Sequence, residues 1–202
     1  MAEAFTPDQR VRIAQGVQEK YTRVAASPEG NFRYPTGRTG LEGLKYDPQF
    51  IDRLPEDVQS SFCGVGNPFL VGPVNAGEAV LDVGCGGGVD SLVAGMIVGP
   101  EGKVIGIDLV PEMLERAREN LRKAGLSNVS FRQASGESIP FPDASFDVVI
   151  SNGVFNLIPD KLKAVHEVFR VLRAGGRFML ADQVLLGEPP ADTARMVDTW
   201  AG

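Results

Sequence analysis

From Gly77 onward the chain alternates short β-branched runs with helical periods, and this alternation restricts the fold more than any other feature. The runs are AVLDV (79–83), KVIGID (103–108), NVSFR (128–132), FDVVI (146–150) and RFMLAD (177–182). They are apolar on both sides of the pleat, as strands covered on two faces require. Between them, Met113, Leu114, Ala117 and Leu121 recur at helical spacing over 111–124, with Pro111 in the first turn. Leu162, Val165, Phe169 and Leu172 do the same over 160–172, before Gly175 and Gly176 stop the helix. Strands that alternate with helices pair in parallel through right-handed crossovers. The expected architecture is an open, doubly wound α/β sheet.

The texture before residue 76 is different. Thr6, Pro7 and Gln9 read as an N-cap, a first-turn proline and the far member of a capping box, followed by Ile13, Val17, Tyr21 and Val24 at helical spacing. A helix over 7–25 is predicted. From Ser27 to Gly43, glycines and prolines surround Phe32, Tyr34 and Leu41, which suits an ordered loop packed on something. Asp47 and Pro48 start a short helix carrying Phe50, Ile51 and Leu54, and GVGNP (64–68) is dense turn chemistry. The division expected is a helical and loop lid over 1–76 and a ligand-binding domain over 77–202.

Composition removes several classes of function. Lys and Arg total 20 against 26 Asp and Glu, a formal charge of -6, which is the wrong sign for holding phosphate backbones, so no nucleic acid is expected as partner. No apolar run reaches the ~18 residues of a membrane span, and the opening MAEAFTPDQR lacks the basic segment and apolar stretch of a secretory signal. A cytoplasmic location without membrane association is the expectation. Two cysteines and a single histidine, His166, give no disulfide framework and no usual zinc ligand set, so no metal is expected.

In open α/β sheets, ligands bind beyond the carboxyl ends of the strands, where the strand order reverses. Here the first strand runs into Asp82-Val83-Gly84-Cys85-Gly86-Gly87-Gly88. The alternating glycines let a ligand approach the backbone at a helix start; tight strand-to-helix packing is the competing explanation. A dinucleotide fingerprint needs glycine at positions one, three and six, but position six from Gly84 is Val89, which argues against a nicotinamide or flavin dinucleotide. The second strand ends at Asp108, where a carboxylate accepts from both hydroxyls of a ribose, caps the helix starting at Pro111, or does both. Asp82 is placed to take an ammonium group directly or through water, or is an ordinary turn aspartate.

LDVGCGGG, VIGIDLVPEMLERAREN, ESIPFPDASFDVVISN and VFRVLRAGGRF, in this order, resemble the class I S-adenosylmethionine-dependent methyltransferases over roughly residues 77–182. The resemblance implies a Rossmann-like sheet and S-adenosylmethionine as cofactor, with S-adenosylhomocysteine as product. It places Asp82, Gly84, Cys85, Gly86 and Gly88 around the methionine part, and Asp108 and Leu109 at the ribose and adenine. Alignment on Pro140-Phe141 puts Ser135, with Gly136, where the family often has an acidic residue on the adenine amino group. Asn152 falls at the edge between cofactor and substrate. SFCGVGNP (61–68) and SNGVFNLIPDK (151–161) are similar to the arsenite methyltransferase branch, whose members bind trivalent arsenic through cysteine thiolates. Gly153 and Val65 occupy positions near those motifs and only Cys63 is close by, so arsenite is not the expected acceptor.

The expected reaction is in-line methyl transfer to a small molecule enclosed by residues 27–70, with Tyr21, Tyr34, Tyr46, Cys63, Asn67, Phe155 and Asn156 as candidate rim residues and Asn152 beside them. Such a transfer needs alignment and exclusion of water more than acid or base groups, and no catalytic side chain is singled out. Other readings stand beside these. Cys85 fits the turn as a small packing residue, Cys63 is either a buried hydrophobe or a substrate-facing thiol, and His166 belongs to an outer helix. The aromatics Tyr21, Phe32, Tyr34 and Tyr46 either staple the N-terminal segment to the sheet or roof a sulfonium with their ring faces. A nucleoside-binding module without turnover shares every cofactor residue. The resemblance also implies seven strands, whereas five are visible before a tail, Glu188–Trp200, that reads as the start of a helix. An uncovered fifth strand favours association of copies.

Overall fold

The computed structural model describes residues 5–184 together with 187, 197 and 200. The N-terminal part contains α1 (Pro7–Ala26), α2 (Gly37–Gly43), α3 (Pro48–Ile51), α4 (Glu56–Gln59) and a 3-10 turn at Pro68–Leu70. The alternating part follows as β1 (Ala79–Val83), α5 (Val89–Val98), β2 (Lys103–Asp108), α6 (Pro111–Ala124), β3 (Val129–Gln133), β4 (Phe146–Asn152), α7 (Lys161–Val171) and β5 (Leu172–Ala181). The strands form one sheet in the order β3-β2-β1-β4-β5, parallel at every pairing, so the order reverses beside β1. This is the α/β architecture that the alternation requires.

Side chains alternate across β1. Leu81 and Val83 pack with Ile105, Ile107 and Val149 under Ala164, Val168 and Val171 of α7. Val80 packs on the other face with Val104, Val148 and Ile150 under Ala94 and Val98 of α5. The outer side of α5 is covered as well: Val89, Leu92 and Val93 meet Leu41, Tyr46, Ile51, Leu54, Val58 and Phe62. That second layer explains why α5 is apolar almost all round, since a helix buried on every side has no polar face to keep. The capping box of α1 forms as predicted, with Thr6 accepting from the Gln9 amide and the Gln9 side chain accepting from the Thr6 amide. Val24 of α1 packs against Val110 and Met113 at the start of α6.

Two expectations need correction. The loop predicted over Ser27–Gly43 contains α2, a helix with three glycines in seven residues. Its intrinsic propensity is poor, and it forms because Leu41 is fully buried and the Gly37 amide donates to the Phe62 carbonyl at 2.8 Å. A side chain at Gly40 would meet the Pro35 carbonyl oxygen at 2.6 Å, so glycine permits the fit. Gly175 and Gly176 do not end α7, which stops at Val171; they lie inside β5, where pairing jumps from Phe146↔Leu172 to Val148↔Arg177. The left-handed Gly175 absorbs the extra residues of that bulge. The helix predicted over Glu188–Trp200 lies outside the described residues apart from 197 and 200. Among the described residues no helix is long and apolar enough to cross a membrane.

One polar stitch joins three parts of this architecture. Asn120 of α6, 0% exposed, donates through Nδ2 to Ser61 Oγ at 3.0 Å and to the Gly87 carbonyl at 2.8 Å, linking the N-terminal part to the glycine turn. Arg116 adds a hydrogen bond to the same Ser61 hydroxyl at 2.9 Å. Asn120→Ala leaves the Gly87 carbonyl without this donor in a buried setting and is expected to lower the unfolding free energy by about 1–3 kcal/mol in a denaturant titration. A variant as stable as the wild type would show that the stitch is idle.

Candidate functional site

The carboxyl ends of β1, β2, β3 and β4 converge where the strand order reverses, and the residues predicted to bind cofactor lie there. Between β1 and α5 the chain turns through Gly84, Gly86 and Gly88, all at positive φ. Two of these admit only glycine in this packing. A side chain at Gly84 would run into Val154, and one at Gly88 would meet Phe131 Cζ at 2.7 Å. The amides of Gly84 and Cys85 both donate to the Ile107 carbonyl, at 2.8 and 2.9 Å, which holds the turn against the end of β2.

Asp108 fixes the other side. Its Oδ2 accepts from the Gly86 amide at 2.9 Å and its Oδ1 from the Val110 amide at 2.9 Å. One carboxylate therefore holds the glycine turn and caps α6. Burial raises its pKa while the Val110 and Gly86 amides pull it down. Each oxygen retains acceptor capacity beyond the bond it makes, since a carboxylate offers about four lone-pair sites. Next to it Leu109 is 46% exposed, an apolar surface beside an acceptor pair. Across the mouth, after β3, Ser135 Oγ accepts from the Glu137 amide, and Gly136 lies so close to Ile158 and Val83 that a side chain there would clash.

Asp82 is differently placed from the ligand-facing position expected for it. It is 2% exposed on the α5 side of β1, where it accepts from Ser91 Oγ at 2.6 Å. Burial, and then the negative charge of Asp90, raise its pKa well above the carboxylate range. Cys85 is buried in the turn, as expected of a packing residue.

Among the predicted rim residues the structure separates two groups. Tyr21, Tyr34 and Cys63 gather over the turn. Tyr34 Oη donates to the Cys63 carbonyl at 3.0 Å, and Phe32 lies between the rings of Tyr34 (5.0 Å) and Tyr21 (6.4 Å). The Tyr21 phenol is raised by burial first and then by Cys63, Tyr34, Asp108 and Asp182, so it stays protonated facing both carboxylates. Burial, then Asp108 and Asp90, push the Cys63 thiol up to about 12. The second group is internal. Tyr46 and Phe155 are buried, and Asn67 is spent on the carbonyls of Leu44 and Lys45 and on capping the amide of Phe69. Tyr46 and Phe155 are framework, and the polar atoms of the half-buried Asn67 are taken up by backbone groups. The Asn156 amide donates to Asp182 Oδ2 at 3.0 Å, while its own Oδ1 is buried without a partner among the described residues.

Asn152 is the most connected side chain here. Its Oδ1 accepts from the amides of Val65 and Gly66 at 2.9 and 3.0 Å, and its Nδ2 donates to the Gly66 carbonyl at 2.8 Å and to Asp90 Oδ2 at 3.0 Å. Asp90 Oδ1 accepts from Tyr46 Oη at 2.5 Å. This network binds the GVGNP loop and Tyr46 to the end of β4 and the start of α5. Asp90 was not among the predicted residues; the available signal was an acidic residue in the first turn of an otherwise apolar helix, VDSLVAGMIV. Asp182, just past β5, was also missed.

A methyltransferase domain family matches residues 74–200, more than half of the chain. The chain belongs to that methyltransferase family. It is 40% identical over 167 residues to an arsenite methyltransferase of Halobacterium salinarum, covering 83% of this chain and 42% of that one. It is 43% identical over 111 residues to a ubiquinone/menaquinone biosynthesis C-methyltransferase of Pasteurella multocida, covering 54% and 41%. Among solved structures, an arsenic(III) S-adenosylmethionine methyltransferase from Chlamydomonas reinhardtii superposes with TM-score 0.61 at 39% identity, covering 66% of this chain and 47% of that one. The chain thus spans less than half the length of these relatives.

Within this methyltransferase domain, the buried Asp90 makes stability depend on pH. Burial pushes its carboxyl up to about 6, above the about 3.9 of an unfolded chain, although Tyr46 and Asn152 hydrogen bonds oppose the shift. A raised carboxyl favours the fold fully below the unfolded value, and that contribution is lost as pH rises from about 4 through about 6. A shift of about two units corresponds to about 3 kcal/mol. The difference in unfolding free energy between wild type and Asp90→Asn should therefore move by about 2 kcal/mol between pH 4 and pH 7, with the wild type losing ground. A difference that stays constant with pH would show that Asp90 keeps its unfolded titration.

Proposed function

We propose that this chain binds S-adenosylmethionine in the crevice between the glycine turn, Asp108 and the lid, and transfers its methyl group to a small-molecule acceptor. The observation that carries the reading is the Asp108 carboxylate, fastened to the Gly86 amide at the reversal of a parallel sheet, with acceptor capacity left over. The residues present fit the cofactor. Asp108 takes the ribose hydroxyls, Leu109 offers an apolar face to the adenine, and Ser135 and Gly136 border it. Gly84, Cys85, Gly86 and Gly88 lie along the methionine part, with Asp82 behind the turn, held there by the Ser91 hydroxyl. The unpartnered Asn156 acceptor suits a ligand N–H or O–H. Bound S-adenosylmethionine would supply a sulfonium-activated methyl group, sulfur keeping the carbon–sulfur electron pair as an acceptor lone pair takes the carbon, and solvent taking any proton the acceptor then loses.

The chain's own contribution is to orient and enclose. Residues 1–76 act as a lid, with Tyr21 and Phe32 roofing the crevice and excluding water. The Tyr21 and Tyr34 phenols and the Cys63 thiol keep their protons near neutrality, so they act as hydrogen-bond donors and not as bases. His166 is exposed on α7. Similarity to arsenite methyltransferases favours an arsenic acceptor, but this chain carries two cysteines, Cys63 and Cys85, and burial holds both as thiols, whereas a soft metalloid needs thiolates. We therefore place arsenite behind other small acceptors, and a binding module without turnover behind both. We also propose a cytoplasmic location, consistent with both cysteines being free. Association of copies along β5, an edge of the described sheet, is the remaining part of the proposal; light scattering tests it, and a monomer would remove it.

Isothermal titration with S-adenosylmethionine and S-adenosylhomocysteine tests the main reading. Wild type should bind both, and Asp108→Asn and Asp108→Ala should weaken binding by about 1.5–3 kcal/mol. Melting curves are needed alongside, because Asp108 also caps α6. Absence of binding by the folded wild type, or unchanged affinity in both variants, would overturn it.

A further inference from the structure

Above the ends of β4 and β5 lies a cavity of about 370 Å³, room for about a dozen waters. Its walls include Tyr34, Pro35, Thr39, Leu44, Val65 and Gln183, with glycine backbone between them. Both sides are pinned to the framework. On the lid side, Tyr34 Oη is bonded to the Cys63 carbonyl and the Gly37 amide to the Phe62 carbonyl. On the sheet side, Asn152 grips the amides of Val65 and Gly66. A cavity held from both sides is ready formed before a ligand arrives.

The wall also joins the cofactor crevice. Cys63 feels the charges of Asp108 and Lys20 on the crevice side, while the next two residues, Gly64 and Val65, line the cavity. Val65 rests against Gly153, just past the end of β4, where a side chain would meet it at 3.3 Å. One continuous stretch of chain thus borders both compartments.

None of the described lining side chains is ionised. Tyr34 keeps its proton because burial, and then Cys63, raise its phenol. Leu44 and Val65 are half-buried and cover part of the wall, while Pro35, Thr39 and Gln183 are exposed at its rim, so a charge that enters loses part of its hydration and gains no ionic partner. A cation finds no carboxylate in the wall, and an anion finds no guanidinium or ammonium. What the wall does offer is neutral hydrogen bonding: the Tyr34 hydroxyl oxygen, the Thr39 hydroxyl and the Gln183 amide.

From these walls we infer that the acceptor is an uncharged, predominantly apolar molecule with one or two hydrogen-bonding groups, seated between α2 and the GVGNP loop. The inference rests on the methyl-transfer reading for the word acceptor, but the cavity and its preference for neutral ligands stand apart from it. Three one-ring probes of matched size separate the possibilities: p-cresol, benzoate and benzylammonium, titrated into the full chain by saturation-transfer NMR with and without saturating S-adenosylhomocysteine. p-Cresol should bind at least about tenfold more tightly than either ion. Thr39→Trp, which adds bulk at an exposed position of α2, should weaken p-cresol about tenfold while leaving S-adenosylhomocysteine affinity within about twofold. Gln183→Glu keeps the side-chain shape, adds a charge, and should strengthen benzylammonium about threefold or more. Equal binding of the three probes, tighter binding of an ion, no binding at millimolar concentration, or p-cresol affinity untouched by Thr39→Trp would each overturn the inference. Selective p-cresol binding by a chain that ignores S-adenosylhomocysteine would leave the cavity inference standing and remove the methyl-transfer reading instead.

Discussion

A buried carboxylate shared by two neutral donors holds this molecule's two layers together. Asp90 belongs to the first turn of α5, under the sheet's switch point, yet its partners come from elsewhere: the phenol of Tyr46 in the lid and the amide of Asn152 at the end of β4. Asn152 then reaches the GVGNP loop through both of its polar atoms. Removing a charged group from water is unfavourable, and each hydrogen bond from a fixed dipole offsets part of that cost. The N-terminal part is consequently docked in one register, because any slip would leave the carboxylate without its partners. The apolar contacts between the lid and α5 supply attraction, but they are non-directional and would tolerate several arrangements.

The sheet was legible in the sequence because a two-sided β-strand has little freedom of composition. β1, β2 and α6 begin and end where the patterns of AVLDV, KVIGID and the Pro111 segment place them. The turn was legible for a similar reason, since Gly84 and Gly88 answer to backbone geometry that few other residues adopt. What escaped notice depended on contacts distant in the chain. No local pattern announces that Leu41 will be buried by α5, and without that burial the segment with Gly37 and Gly40 reads as a loop. Likewise, Tyr46, Asn67 and Phe155 have the chemistry of a ligand rim, and only the fold reveals that their polar atoms and rings are already engaged. Asp90 passed unremarked because one acidic residue near a helix start is an ordinary occurrence, favoured by the helix dipole alone.

The site combines a polar half and a neutral half. Asp108 and Asp182, which both act on the Tyr21 phenol, lie on the side proposed for a cationic cofactor, while the side proposed for its acceptor presents hydroxyl, amide and hydrocarbon. Such a division suits a reaction in which positive charge on one reactant disappears as the bond forms: strong negative potential belongs near the binding determinants and not around the incoming nucleophile. The protonated Cys63, Tyr21 and Tyr34 stand at the boundary between the halves and add donors without adding charge.

Helix α2 carries a consequence for how the N-terminal part holds its shape. A seven-residue helix with three glycines falls well short of the length at which an isolated peptide stays helical in water, so its hydrogen bonds exist only while Phe62 and α5 are in place beneath it. Excised, those residues would be coil. The helicity of residues 37–43 therefore serves as an internal gauge of whether the chain above the sheet is seated.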